Sequence, residues 1–332
     1  YNGFDDLFSK ALQQEDTARM FTFSGSGVTP FSWNILMMLS LFAILLLPRQ
    51  FHISVVENTS QRHIPTAMWV FPLYLLLINI FVLPIALAGK MTFGDTVNPD
   101  TYLLSLPLST GATWLAMIAF IGGFSAATSM IVVEVTALSI MFSNHIVVPL
   151  LIRMRGIGRE KDLVDGASRL LDIRRISIIL MLFLAYFYQK SVGGTYDLVS
   201  VGLISFTAAA QLAPVLIGGL YWKRGTKQGA IAGLLVGFFL WAYCLPFPSM
   251  AQSGIISRSF VDNGLFNLPY LKPYALFGLT GLDPITHGAF WSLLFNAWFY
   301  IIVSINTRPS MLNLTQADLL VNINKYIGGQ DS

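Results

Sequence analysis

Glu134 is the one acidic side chain set deep inside an apolar run, and an ionisable group in that position is a functional candidate by default. Around it lies a series of hydroxyls: Ser125, Thr128, Ser129, Thr136, Ser139 and Ser143. At about 100° per residue these six fall within an arc of about 100° on one helix face. Two chemistries fit such a face. Hydroxyls together with backbone carbonyls can coordinate a small hard cation, or they can be the small polar residues on which membrane helices pack. Gly122 and Gly123, just ahead of the series, would permit a close approach of the second kind. Glu134 lies about 180° from Ser125 and cannot join the hydroxyl face while the helix stays regular. It is either a proton carrier on a second polar surface or a neutral, hydrogen-bonded group in a helix contact.

A second point of interest is Pro48. The apolar run that precedes it stops there, yet Arg49-Gln50-Phe51-His52 leads on into Ile53, Val55 and Val56. Proline removes a backbone donor and disturbs the turn before it, and interrupted helices in membranes are tolerated where the freed backbone lines a site. The pattern predicts a broken span, or a span that ends at Pro48 and is followed by an interfacial helix. No catalytic residue is expected. There is no HExxH, no GxSxG and no phosphate-cradling glycine loop, and His52, His63, His145 and His287 are scattered. The single Cys244 excludes an internal disulfide or a cysteine-based metal site. Nucleic acid is not an expected partner, because the charge-dense loop 153–175 interleaves seven basic with four acidic residues.

The elements that must position these residues are membrane helices. Across 332 residues the chain is 55% hydrophobic and 11% charged, with mean hydropathy +0.64, whereas soluble domains carry about 25% charged residues. Seven apolar runs are candidate spans: Phe31–Pro48, Ile64–Gly89, Ala112–Leu151, Ile176–Tyr188, Leu198–Trp222, Gly229–Leu245 and Gly288–Ile305. The fourth is short and is expected to start upstream, with Arg174 and Arg175 at the membrane edge. The third is too long for one span, so its ends should project or form separate turns. Alternating the loops puts 14 of the 20 Lys and Arg residues on one side. That side is cytoplasmic by the positive-inside rule; residues 1–30 are then outside and the C-terminal tail is inside. Phe4, Leu7, Phe8, Ala11 and Leu12 form an apolar stripe, which predicts an amphipathic helix that lies on the membrane or a cavity mouth, or packs as a connector. Tyr1 is not an initiator Met, and the chain reads as an excerpt from a longer protein.

One stretch resembles a known family. Phe206-Thr-Ala-Ala-Ala-Gln-Leu-Ala-Pro214 followed by Tyr221-Trp-Lys-Arg-Gly-Thr-Lys-Gln-Gly-Ala-Ile-Ala-Gly233 is similar to the solute:sodium symporter family, the family of the sodium/proline symporter. Gln50-Phe51-His52 and Ser125-Ala-Ala-Thr-Ser-Met130 resemble two further family segments, and the likeness covers roughly residues 4–305. Leu46–Asn58 and Thr307-Arg-Pro-Ser310 look most like the symporter-like membrane modules at the N-terminus of bacterial sensor histidine kinases.

The resemblance implies an all-α inverted-repeat symporter fold with about seven transmembrane helices here, one of them broken. Residues 1–30 would be extracytoplasmic, 31–222 the second five-helix repeat, 223–306 two accessory helices, and 307–332 a cytoplasmic tail. The first repeat and the signalling region after Leu314–Tyr326 would be missing. The implied function is cation-coupled transport or sensing of an amino-acid-like solute such as proline or histidine in a bacterial inner membrane. A kinase region and a cognate response regulator would be partners, and Na+ or H+ the coupling ion. Trp33, Asn34 and Gln50 would bind solute. Ser125 matches the first hydroxyl of the family's sodium site, but Ala126 stands where the second belongs. Either Thr128 or Ser129 then compensates, or Glu134 carries a proton instead, or coupling is relaxed.

Overall fold

The computed structural model describes residues 3–22, 28–155, 162–192, 197–309, 311, 314, 315, 317 and 318. Most of the expected linker Leu314–Tyr326 lies outside the described residues. Among the described residues 82% are helical and none is in a strand. In chain order the helices are α1 (Phe4–Gln13), α2 (Glu15–Ala18), α3 (Pro30–Leu46), α4 (Pro48–Phe51), α5 (His63–Asn79), α6 (Val82–Phe93), α7 (Tyr102–Ser109) and α8 (Thr113–Phe142). They continue as α9 (Val148–Arg155), α10 (Asp162–Val192), α11 (Leu198–Ala210), α12 (Ala213–Tyr221), α13 (Lys227–Cys244), α14 (Pro246–Gln252), α15 (Ser259–Asn263) and α16 (Pro284–Asn306).

Five stretches among the described residues are long and apolar enough to cross a bilayer: His63–Phe93, Thr113–Leu150, Leu198–Tyr221, Lys227–Gln252 and Pro284–Asn306. The shortest, at 23 residues, is about 35 Å long against a hydrocarbon core of about 30 Å. Pro30–Leu46 with Pro48–Val56 makes a sixth span if the bent pair counts as one; the bend is 50°. The remaining apolar run, Ile176–Tyr188, lies in α10, which starts upstream at Asp162. The protein is therefore a multi-pass α-helical membrane protein. The third run does not continue as a single regular helix: a wide π turn, Ser143–Val147, separates α8 from α9. Pro149, in the first turn of α9, has no N–H to return to the carbonyl of His145, which favours that wider turn.

Local sequence sets the helix starts. Thr29 accepts from the Ser32 N–H at 3.1 Å, Thr226 from Gly229 at 3.1 Å, and Asp283 from Thr286 at 2.9 Å; Pro30 and Pro284 follow two of these caps.

Two compact units share the chain. One comprises residues 1–28 and 51–187, the other 29–50 and 188–332. In the first, Leu7 and Ala11 of the N-terminal stripe are buried and α1 packs on α6, while Phe4 and Leu12 remain exposed. Tyr102 lies over Gly89, where any side chain would collide with its ring, and its hydroxyl donates to the Gly94 carbonyl at 3.1 Å. Along α8 only Ala116, Ala137 and Ser139 are buried.

The second unit gathers α3, α11, α12, α13 and α16. Ile35 and Leu39 meet Ala210, Ala289 and Leu293 in one core cluster; Ile204, Tyr243, Cys244, Leu245 and Leu276 form another. The tightest contact is α13 on α16. Gly229, Gly233 and Gly237 recur every four residues and face Asn296, Tyr300 and Ser304, which also recur every four. A Cβ on Gly233 would lie 2.8 Å from the Asn296 carbonyl, so only glycine admits this approach.

A buried amide cluster at an interrupted helix

Near its middle the span Leu198–Tyr221 loses its regular α-helical hydrogen bonding, without a sharp bend. Gln211 and Leu212 separate α11 from α12, and the turn is tightened by Gln211 N–H to Ala208 O and Leu212 N–H to Ala209 O. Pro214 follows and has no N–H to offer the Ala210 carbonyl. A helix interrupted inside a bilayer must find other partners for its polar groups, and here Asn296 of α16 supplies them. Its Nδ2 donates to the Gln211 carbonyl at 2.7 Å and to Gln211 Oε1 at 3.0 Å. Gln211 Nε2 donates in turn to Ser292 Oγ at 2.9 Å and to the Thr207 carbonyl at 3.2 Å.

All four side chains, Thr207, Gln211, Ser292 and Asn296, are fully buried. Gly233 and Gly237 of α13 close the cluster from above: a Cβ at 237 would sit 2.6 Å from Asn296 Nδ2, and one at 233 would sit 2.9 Å from Asn296 Oδ1. Asn296 Oδ1 is the one acceptor of the cluster left without a hydrogen bond. The group is neutral. It can exchange hydrogen bonds with a polar solute or with the broken backbone, but it offers no acid, base or nucleophile.

Both ends of this unit are also tied by polar contacts. At one, Asp283 caps α16 through Oδ2 and accepts from Ser32 of α3 through Oδ1 at 2.8 Å, so one carboxylate serves two helix N-termini. Close by, the buried His287 Nε2 accepts from the Leu276 N–H at 3.1 Å. At the other end, Thr226 meets Ser304 and Thr307, Arg224 donates to the Ile305 carbonyl at 3.4 Å, and Lys223 pairs with Asp318 at 2.7 Å.

The residues singled out in the sequence are placed elsewhere. Trp33 and Asn34 are exposed in the first turn of α3, and Asn34 Nδ2 donates to Pro30 O at 2.8 Å. Gln50 is half-buried in α4, beyond the far end of α3. From Asn34 to the end of α3 at Leu46 the helix rises about 18 Å, so Trp33 and Asn34 are not neighbours of the break at Pro48 and do not form one pocket with Gln50. Ser125, Thr128 and Ser129 are exposed on α8, and the Thr128 hydroxyl donates to Phe124 O of its own helix at 2.8 Å. Ser139 and Ser143, later on the same stripe, are buried. Because α8 is unbroken from Thr113 to Phe142, half-buried Glu134 stays on the face opposite Ser125.

Sequence reasoning passed over Gln211, Ser292 and Asn296 as site residues. The available signals were Pro214 within an apolar run and the matched four-residue spacings of small residues on α13 and α16. A helical membrane bundle with a polar pair at an interrupted turn of one span is thus the class that fold and site define. Compared with protein-family models, curated proteins and solved structures, the chain finds no match.

Proposed function

We propose that this chain is a symporter-like membrane module that binds a small amino-acid-like solute, with cation-coupled transport, sensing or both as its task. The observation that carries the reading is the interrupted span, with Gln211 held in the bundle interior by Asn296. Discontinuous helices at mid-membrane are where secondary transporters hold their cargo. The interruption also falls inside Phe206–Gly233, the stretch that resembles the solute:sodium symporters. In this reading the module is the second part of an inverted-repeat fold in a bacterial inner membrane. It feeds a sensor histidine kinase and its response regulator, with the C-terminus cytoplasmic. The exposed Ser125, Thr128 and Ser129 would form half of a sodium site completed by another surface, and Glu134 is the alternative proton carrier.

The test is uptake of radiolabelled proline and histidine into vesicles carrying the intact protein, with sodium and pH varied independently. Sodium-dependent accumulation lost in Ser125→Ala supports sodium coupling; sodium-independent accumulation lost in Glu134→Gln supports protons. Binding without accumulation selects a second reading, a transport-inactive receptor, favoured by the contact of Lys223 with Asp318 that links the bundle to the tail. Absence of both binding and accumulation for amino acids rejects the proposal.

A further inference from the structure

An open groove of about 620 Å³ runs along the second unit between α3, α12 and α16. Its walls are apolar: Met38 and Phe42 on one side, Pro214 and Ile217 on another, Leu293 and Ile301 on the third. Leu216, Leu220 and Ile302, next in sequence or within two residues of its lining, are exposed and apolar, as on a surface that a bilayer covers. Along α16 it extends from Leu293 to Ile301, about 12 Å at the helical rise. That matches most of one leaflet, whose hydrocarbon is about 15 Å deep, half the bilayer core.

Only one end of the groove is polar. There Trp222 stands edge-on to Tyr300, their ring centroids 5.6 Å apart, and the next two residues are Lys223 and Arg224. Tyr300 lines the groove and is 4% exposed, and its hydroxyl makes no hydrogen bond among the described residues. This hydroxyl lies against the Trp222–Thr226 turn, because a Cβ on Gly225 would collide with it, and a Cβ on Gly218 would come within 2.7 Å. Among the described residues Lys223 donates to Asp318 and Arg224 to the Ile305 carbonyl. An ammonium has three donors and a guanidinium five, so both retain donors for a further acceptor.

We propose that this groove binds an anionic phospholipid, one acyl chain lying along α12 and α16 and the phosphate held by Lys223, Arg224 and the Tyr300 hydroxyl. A groove that is apolar for the depth of one leaflet and basic at its interfacial end complements an amphiphile with one negative head. Basic residues between spanning helices near the membrane surface recognise such headgroups, and tryptophan at that level anchors the interface. A helix from a second copy would fill the apolar walls but bring no anion to the remaining donors of Lys223 and Arg224 or to the Tyr300 hydroxyl. The site belongs to the bundle itself and does not depend on the transport reading.

The test uses the intact protein, purified and delipidated in a mild non-ionic detergent, then titrated with phosphatidylglycerol, phosphatidylcholine or inorganic phosphate and read by native mass spectrometry. Phosphatidylglycerol is expected to be retained in preference to phosphatidylcholine. The double substitution Lys223→Gln/Arg224→Gln is expected to cost about tenfold or more of that preference. Tyr300→Phe should cost a smaller part of it, and Ala297→Trp, which fills the groove, should remove binding of both lipids. Thermal unfolding without added lipid identifies variants that fold as wild type, and only those are compared. Equal retention of the two lipids overturns the proposal, as does an unchanged preference in the double variant. Displacement by inorganic phosphate alone would make this an anion site without an acyl chain, and a dimer dissolved by Ala297→Trp would make it an interface between copies; either result also overturns it.

Discussion

Two helix faces in this protein carry the same kinds of residue and treat them in opposite ways. On α8, Gly122 and Gly123 precede Ser125, Thr128 and Ser129; no atom would lie within 4 Å of a Cβ at either glycine, and the three hydroxyl residues are exposed. On α13 and α16, Gly229, Gly233 and Gly237 seat directly on Asn296, Tyr300 and Ser304. On the first face the Thr128 hydroxyl turns back to Phe124 O of its own helix. Polar groups on the second reach across to another helix, as Asn296 does to Gln211 and Ser304 to Thr226. In the spanning window of Thr113–Leu150 6% of residues are buried, against 39% in Pro284–Asn306. A stripe of small and hydroxyl residues becomes a helix contact only when a second stripe of matching period meets it, because lipid offers no hydrophobic drive between helices and packing must supply the energy.

The largest expected effect follows from that complementarity. Gly233→Leu puts a side chain where the Asn296 carbonyl and the Tyr300 Cβ already stand, 2.8 and 3.0 Å from the first added carbon. Backbone cannot yield as a side chain can, so the α13–α16 contact should lose about 3 kcal/mol or more, measured as unfolding in detergent micelles. Wild-type stability in this variant would mean that α13 and α16 are not in direct contact. Asn296→Ala should come next. It removes both bonds to Gln211 and leaves Gln211 Oε1 buried without a donor, a cost of about 1–2 kcal/mol from lost bonds and an unsatisfied acceptor. A double-mutant cycle with Gln211→Ala should show coupling between the two sites; strictly additive losses would show that the amide pair does not hold the interruption. Asp283→Ala should cost about 1 kcal/mol, the usual worth of an N-cap, and Asp283→Asn less, because the amide oxygen still accepts.

Much of the architecture can be read along the chain. Apolar runs marked the spans, Pro48 marked a bend, the brevity of Ile176–Tyr188 required an upstream start, and Thr29-Pro30 and Asp283-Pro284 are helix starts that need no tertiary information. The candidate site was harder, for a physical reason. Gln211 and Asn296 are 85 residues apart, each is an unremarkable amide in its own segment, and only the docking of α16 makes them a pair. Trp33 and Asn34 illustrate the reverse case. They share α3 with the approach to Pro48, but each residue of helix adds about 1.5 Å, and the 12 residues from Asn34 to Leu46 already carry them out of reach of Gln50. Periodicity records which residues share a face; it does not record what covers that face.

Gly122→Ala is the smallest and most discriminating change. With nothing within 4 Å of the added methyl group, the only effect left in this structure is conformational: alanine is favoured over glycine in a helix interior by up to about 1 kcal/mol. Stability should therefore rise slightly, opposite in sign to the loss at Gly233. Ser125→Ala beside it should change stability by no more than about 0.5 kcal/mol, as exposed substitutions do. The same pair of variants, examined for solute uptake or binding in the intact protein, then separates two roles for the α8 face. If uptake falls while unfolding is unchanged or improved, the hydroxyls act on a ligand or on a surface that meets α8 during function. If both measurements match wild type, the α8 stripe serves neither packing nor cargo, and the site of chemistry contracts to the interrupted helix at Gln211.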